Sequence, residues 1–181
     1  MTYTMRYDSP LGGILLAADD AGLTGLWFEG QKYFARTLTE TCVQRKTSVL
    51  QSASHWLEIY FGGAQPEFTP PLHPAGSPFQ CAVWELLGQI PYGGTTTYGA
   101  LAGHLAARRG LASMSAQAVG GAVGRNPVSI IIPCHRVVGA SGSLTGYAGG
   151  IERKIELLRL EGAQLACLYS PKCDRDGEKL N

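Results

Sequence analysis

The chain has 181 residues, 45% of them hydrophobic and only 16% charged, with a formal net charge of +1. That length can bury a core as one domain or two small ones. No stretch has the length of a membrane-spanning helix or the charged start and cleavage site of a signal peptide, so the expected address is cytoplasmic.

In chain order, Arg6 to Asp8, Ile14 to Ala18 and Leu23 to Phe28 are separated by turn signals, Ser9-Pro10-Leu11-Gly12-Gly13 and Asp19-Asp20-Ala21-Gly22, and read as an antiparallel meander. A helix follows from about Val49 to Phe61, with Leu50, Leu57 and Phe61 near one face and Gly62-Gly63 as its stop. Residues 66–78 contain five prolines and form the natural linker. Beyond it, Ser77 reads as an N-cap with Pro78 at the first helical position, and helical spacing runs from Phe79 to Ile90 until Pro91 and Gly93-Gly94 break it. Thr97 caps a further helix with Tyr98, Leu101, Ala102 and Leu105 on one face, and another starts near Ser115 and stops at Asn126-Pro127. This pair reads as a helix-turn-helix. Val128 to Ile132, rich in β-branched residues and closed by Pro133, reads as a buried strand, and a last helix spans about Ile151 to Leu160. The expected architecture is α/β: a small N-terminal α/β domain with an antiparallel sheet (1–75), a mainly helical C-terminal domain (76–162) and a flexible tail (163–181).

Charge is unevenly divided. Residues 1–75 carry five Lys/Arg against seven Asp/Glu, and residues 76–162 carry seven against four. A weakly basic second segment permits phosphate contact without demonstrating it. Cys42, Cys81, Cys134, Cys167 and Cys173 are odd in number and never form C-x-x-C, which fits reduced thiols better than a disulfide framework. No four-ligand metal set is apparent either, so no metal and no cofactor is expected.

Pro133-Cys134-His135-Arg136 sets a thiol beside an imidazole at the end of an apolar element. The thiolate is the nucleophilic form, and an imidazole or helix N-terminus can raise its fraction. On an extended backbone neighbouring side chains point to opposite faces, so direct contact needs a turn or a bridging water. Glu161 sits at the end of the last helix, where the dipole disfavours a carboxylate. Residue pattern alone leaves two alternatives open: an incidental Cys-His neighbourhood with a solvated Glu161, or a thiol, a base and an orienting acid.

The run from Asn126 to Gly139, NPVSIIIPCHRVVG, followed by Gly146-Tyr147-Ala148-Gly149-Gly150 and Lys154, resembles the active-site signature of the O6-alkylguanine-DNA alkyltransferases. The resemblance extends through Pro78-Phe79-Gln80, Val83-Trp84, Ile90-Pro91, Thr97-Tyr98, Leu157-Leu158 and Glu161-Gly162, and so covers residues 76–162. It implies direct-reversal repair, with Cys134 as a single-use alkyl acceptor activated through water by His135, and Glu161 orienting the imidazole. Asn126 is implied as a hinge, and Tyr147 as a donor to the guanine ring nitrogen. Backbone carbonyls at Cys134 and Val137 would accept the exocyclic amine, Ala148 and Gly149 complete the substrate loop, and Lys154 supports it. Thr97, Tyr98, Gln117 and Arg136 are implied to face DNA, with Tyr98 pushing the target phosphate as the base flips into the pocket. The implied partner is double-stranded DNA carrying O6-alkylguanine, bound through the minor groove by a monomer.

Two departures matter. Gln117 stands where many relatives carry an arginine that fills the gap left by the flipped base, and Ala148 replaces a serine found in some. Gly120, Gly121 and Gly124 each cost a helix about 1 kcal/mol relative to alanine, and close approach to another surface would account for them. The competing functions are a DNA-binding module without chemistry, either a helix-turn-helix regulator or a sensor of alkylated DNA that would lack a cysteine at this position, and a cysteine hydrolase, which would turn over.

Overall fold

A computed structural model describes residues 1–165 and Leu168. The N-terminal strands are β1 (Thr2–Ser9), β2 (Gly12–Ala18) and β3 (Leu23–Phe28), paired antiparallel as a meander. A short β4 (Cys42–Gln44) adds to β1 in parallel, giving the order β3-β2-β1-β4. Helix α1 (Ser48–Phe61), capped by the Thr47 side chain, packs on this sheet through Leu50, Ala53, Trp56, Leu57 and Tyr60. Ile14, Leu16, Leu23, Leu26, Leu50 and Leu57 are fully buried, each contributing about 1.5–3 kcal/mol by leaving water.

The second region is helical. Helix α2 (Pro78–Leu87) starts with the expected Ser77 cap, and Gln80 completes a reciprocal capping box. It ends before the predicted Ile90: Gly88 N–H makes the last α-type bond, to Trp84 O, and Gln89 and Ile90 then close it with turn-type hydrogen bonds to Leu86 O and Leu87 O. A two-residue strand β5 (Thr96–Thr97) leads into α3 (Tyr98–Arg108), and α4 (Ala116–Gly124) is capped by Ser115. The α3–α4 pair is the helix-turn-helix, and the indole N–H of Trp84 on α2 ties into it by donating to Ala122 O at 2.9 Å. β6 (Val137–Val138) pairs in parallel with β5, and α5 spans Ile151–Leu160. The two regions share one hydrophobic core, which runs from Ile14 and Phe28 to Val123, Ile132 and Leu157.

The predicted strand at Val128–Ile132 does not form. Val128 makes a single bridge to Leu26, and then the chain coils through successive turns, Ile131 N–H to Ser129 O and Ile132 N–H to Val128 O. Ile130 adopts φ +68°, a left-handed conformation that costs a β-branched residue about 1–3 kcal/mol. The aliphatic composition that resembled a strand reflects burial instead. Of the expected tail, Ala163, Leu165 and Leu168 pack against Val138, Leu144 and Leu158, whereas Cys167, Cys173 and the charged run from Asp174 lie outside the described residues. No helix among the described residues is long and apolar enough to cross a membrane.

Candidate active site

The coil at Val128–Ile132 is what positions the thiol. It is held on the sheet by β3, where Leu26 N–H donates to Pro127 O and Ser129 N–H to Leu26 O. Asn126 holds it from inside: its Oδ1 accepts from Val128 N–H, and its Nδ2 lies 3.2 Å from Val128 O, 2.8 Å from Ile132 O and 3.2 Å from Cys134 Sγ. One buried amide thus secures a strained bend and donates to the sulfur. Cys134–Arg136 then form one 3-10 turn, the turn that a Cys-His neighbourhood requires.

His135 is fully buried, with Nε2 2.7 Å from Glu161 Oε1. Burial alone would push the Glu161 carboxyl up, but hydrogen bonds and charge from His135 and Arg136 hold it down to about 2. An ionised carboxylate only accepts, so Nε2 carries the proton and Nδ1 keeps its lone pair. Nδ1 has no hydrogen-bond partner in the protein. Burial lowers the proton affinity of His135 although Glu161 opposes this. Burial also raises the Cys134 thiol, offset only in part by Asn126 and the Lys154 charge. The resting pair is therefore neutral thiol and neutral imidazole, and the sulfur has to be deprotonated during the reaction.

Glu161 collects more donors than the sequence foretold. Arg136 reaches it through Nε (2.8 Å) and Nη2 (3.0 Å), Gly93 N–H donates at 3.1 Å, and Tyr60 OH, from α1 of the N-terminal region, donates at 2.7 Å. This corrects the expected role of Arg136. Its guanidinium is buried, with Nη1 on Ile90 O and its plane near the Tyr92 ring, and it has no face left for DNA. Gly93, read from sequence only as a helix breaker, sits at φ +73° with space for no side chain, since a Cβ would lie 2.8 Å from Glu161 O.

Lys154 is fully buried and donates to Val137 O at 2.5 Å and Thr145 O at 2.9 Å, joining α5 to both sides of the loop between them. Burial lowers its pKa to about 8. Tyr147 is buried with its hydroxyl unpartnered, and burial keeps the phenol protonated far above the ordinary range. Gly149 makes space for that ring, because a Cβ there would come within 2.5 Å of it. Arg153 ties the loop to the sheet region by donating to Gly149 O, Leu11 O and Glu29 O.

Tyr147 and Ala148 form one wall of a cavity of about 340 Å³, within the roughly 300–1,000 Å³ usual for small-molecule sites. Gly120, Gly121 and Gly124 of α4 form a second wall, and Lys32 and Tyr33 a third. Lys32 N–H donates to Ala148 O, and Lys32, Arg36 and Arg125 surround the Tyr33 ring at 5.0–5.6 Å. Sequence reasoning missed this basic rim, since its residues are split between the two regions. Tyr98 is half-buried with its hydroxyl donating to Thr145 O at 3.2 Å, the Thr97 hydroxyl caps α3, and Gln117 is exposed on the first turn of α4. Gln117, Thr97 and Tyr98 lie apart from the Glu161 network; Gln117 is on α4, whose glycines line the cavity, while Tyr98 begins α3 and Thr97 caps it.

Residues 1–74 match the ribonuclease-like domain of the 6-O-methylguanine DNA methyltransferases, and residues 78–163 match their DNA-binding domain. A methylated-DNA–protein-cysteine methyltransferase of Methanosarcina acetivorans is 43% identical over 162 residues, covering 89% of this chain and 99% of that protein. The Mycobacterium leprae protein of that name is 40% identical over 165 residues, 91% of this chain and 95% of its own. Among solved structures, Mycobacterium tuberculosis O6-methylguanine methyltransferase superposes with a TM-score of 0.74 at 42% identity over 89% of this chain and 93% of the other. The crystal structure of M. tuberculosis OGT in complex with DNA gives a TM-score of 0.74 at 42% identity, over 88% and 91%.

Proposed function

The chain belongs to the 6-O-methylguanine DNA methyltransferase family, and from that premise we propose how its own residues carry out the reaction. It is a DNA-repair protein that moves an alkyl group from O6 of guanine in DNA onto a cysteine of its own, once per molecule. The acceptor is Cys134. The observation that carries this assignment is His135, whose Nε2 is committed to an ionised carboxylate while Nδ1 stays free, one residue from a buried thiol that already accepts from Asn126.

In this reading His135 Nδ1 takes the thiol proton through a water as the sulfur attacks the alkyl carbon. The S–C bond forms, the C–O6 bond breaks, and the electron pair stays on guanine, where the Tyr147 hydroxyl donates a hydrogen bond to the ring nitrogen and the proton held by His135 returns to the leaving base through water. A phenol that burial keeps protonated retains its hydrogen for that bond as charge develops on the base. Attack falls on saturated carbon, so the product is a thioether that water cannot reverse, unlike the acyl intermediate of a hydrolase triad. The carbonyls of Cys134 and Val137 accept the exocyclic amine and so select guanine over adenine, with Val137 O fixed from behind by Lys154. Ala148 N–H faces O6, and Gly149 keeps the Tyr147 ring in place.

The lesion reaches this cavity by base flipping, with α4 in the minor groove, its glycines presenting a slim face, and Gln117 at the gap. Tyr98 and Thr97 face the target-strand backbone. The protein acts as a cytoplasmic monomer, with residues 76–162 as the DNA-binding and acceptor unit.

The test is stoichiometry. A duplex oligonucleotide with one O6-methylguanine, titrated in excess over protein, should show restored guanine levelling at one per protein molecule. The Cys134→Ala variant should bind the lesion and restore none. Repeated turnover would overturn the reading in favour of a hydrolase, and lesion binding with no repair by the unaltered protein would leave a sensor.

A further inference from the structure

The Glu161 carboxylate lies in the C-terminal region, yet one of its shortest hydrogen bonds comes from a residue 101 positions earlier in the chain, Tyr60 OH at 2.7 Å. Tyr60 sits in the last turn of α1 and is fully buried, its ring stacked on Trp56 at 5.2 Å and edge-on to Phe61 and Tyr92. A phenol in such packing could have pointed its hydroxyl at any backbone carbonyl nearby. It donates instead to Oε1, the same oxygen that holds His135 Nε2.

We propose that Tyr60 is a positioning residue for alkyl transfer, acting through Glu161: its hydrogen bond shares the charge of Oε1 and so limits how strongly that carboxylate pulls a proton onto His135. The inference rests on the reading of His135 as the base that activates Cys134. A base must be unprotonated to act, and a buried imidazole bonded to an unshared carboxylate gains proton affinity with each donor the carboxylate loses. The groups that meet Glu161 are Tyr60 from α1, Gly93 N–H from the turn after α2, and His135 and Arg136 from the 3-10 turn. Around His135 are Glu161, the Arg136 and Lys154 cations, the neighbouring Cys134 and the Tyr147 ring at 6.4 Å. Among the donors to Oε1, Tyr60 is the neutral one that belongs to neither the acceptor turn nor α5. The N-terminal region thereby contributes to the chemistry as well as to packing.

The experiment follows His135 directly. The imidazole ¹⁵N resonances of His135 are titrated in the unaltered protein and in Tyr60→Phe, alongside single-turnover alkyl transfer from an O6-methylguanine duplex between pH 5 and 8. Tyr60→Phe should move the His135 titration to higher pH and slow transfer roughly three- to tenfold at pH 5.5, with the rates converging to within about twofold by pH 7.5. Trp56→Phe, which alters the ring stack without touching Glu161, should leave the titration where it was. Site-specific 3-fluorotyrosine at position 60, a stronger donor of nearly equal size, should displace it the opposite way and covers the case in which Tyr60→Phe fails to fold. A His135 titration that is the same with tyrosine, phenylalanine or fluorotyrosine at position 60 overturns the proposal. A titration that moves while the rate profile does not would uphold Tyr60's hold on His135 and instead remove His135 from the role of base.

Discussion

The two regions differ most in what they bury. In the N-terminal sheet region the buried polar residues are the neutral Thr4 and Gln31, set in an aliphatic and aromatic core. In the C-terminal region the described buried residues include four ionisable groups of the site network, His135, Arg136, Lys154 and Glu161. Desolvating charges is expensive, and a buried ion pair often adds nothing over well-packed apolar residues. A cluster of them beside one thiol is therefore explained by chemistry, while the N-terminal region, whose charges are kept out of its core, serves as the platform on which the strained coil and the Tyr60 hydroxyl are mounted.

The largest departure from that contrast should come from Glu161→Gln. It leaves the Arg136 guanidinium buried without its counter-charge, and breaking such a pair costs about 3–5 kcal/mol, readable as a fall in the urea midpoint. The depressed Glu161 value also gives a pH signature. Its stabilising contribution is fully present above the ordinary value of 4.5 and is lost as pH falls toward about 2. The wild-type urea midpoint should fall through that window, and Glu161→Gln should lose less across it; parallel curves would count against a carboxylate that is ionised and paired in the folded protein.

Leu16→Ala on β2 tests the other half. It removes a fully buried side chain and should cost about 2–5 kcal/mol, comparable in stability to the Glu161 change. Transfer per folded molecule should stay the same, since Leu16 neither lines the cavity nor takes part in the Glu161 network. A slowed reaction in the folded fraction would show that the sheet does more than carry the site.

The smallest effect should come from Gln117→Arg at the exposed start of α4. It adds one cation where DNA is proposed to lie, and should tighten DNA binding and steepen the slope of log K against log salt by roughly one unit at most. Unchanged affinity and slope would mean that this position does not meet DNA.

How much was legible depends on whether a residue's role lies along the chain or across it. Helix α5 has the predicted bounds Ile151–Leu160, and the Ser77, Thr97 and Ser115 caps were readable because capping is local. Cys134, His135 and Glu161 were picked out by a signature, and the structure brings His135 Nε2 to 2.7 Å from Glu161 Oε1. Val128–Ile132 misled because β-branched aliphatic residues mark burial as well as strands, and the left-handed Ile130 leaves no trace in composition. Strand β4 escaped notice as three exposed residues in a polar stretch. Arg136 looked like a DNA contact since nothing local says that its guanidinium turns inward to a carboxylate 25 residues away. Tyr60 went unread, since the face assigned to its helix was Leu50, Leu57 and Phe61; periodicity reports where a ring sits and is blind to what its hydroxyl meets.

The central claim, that Cys134 itself becomes alkylated, is tested most directly by intact-protein mass and peptide mapping after incubation with excess O6-methylguanine duplex. The account predicts a gain of one CH2, saturating at one per molecule, located on the peptide that carries Cys134 and absent from Cys134→Ala. A gain on Cys42 or Cys81, or a gain that persists in Cys134→Ala, would contradict it.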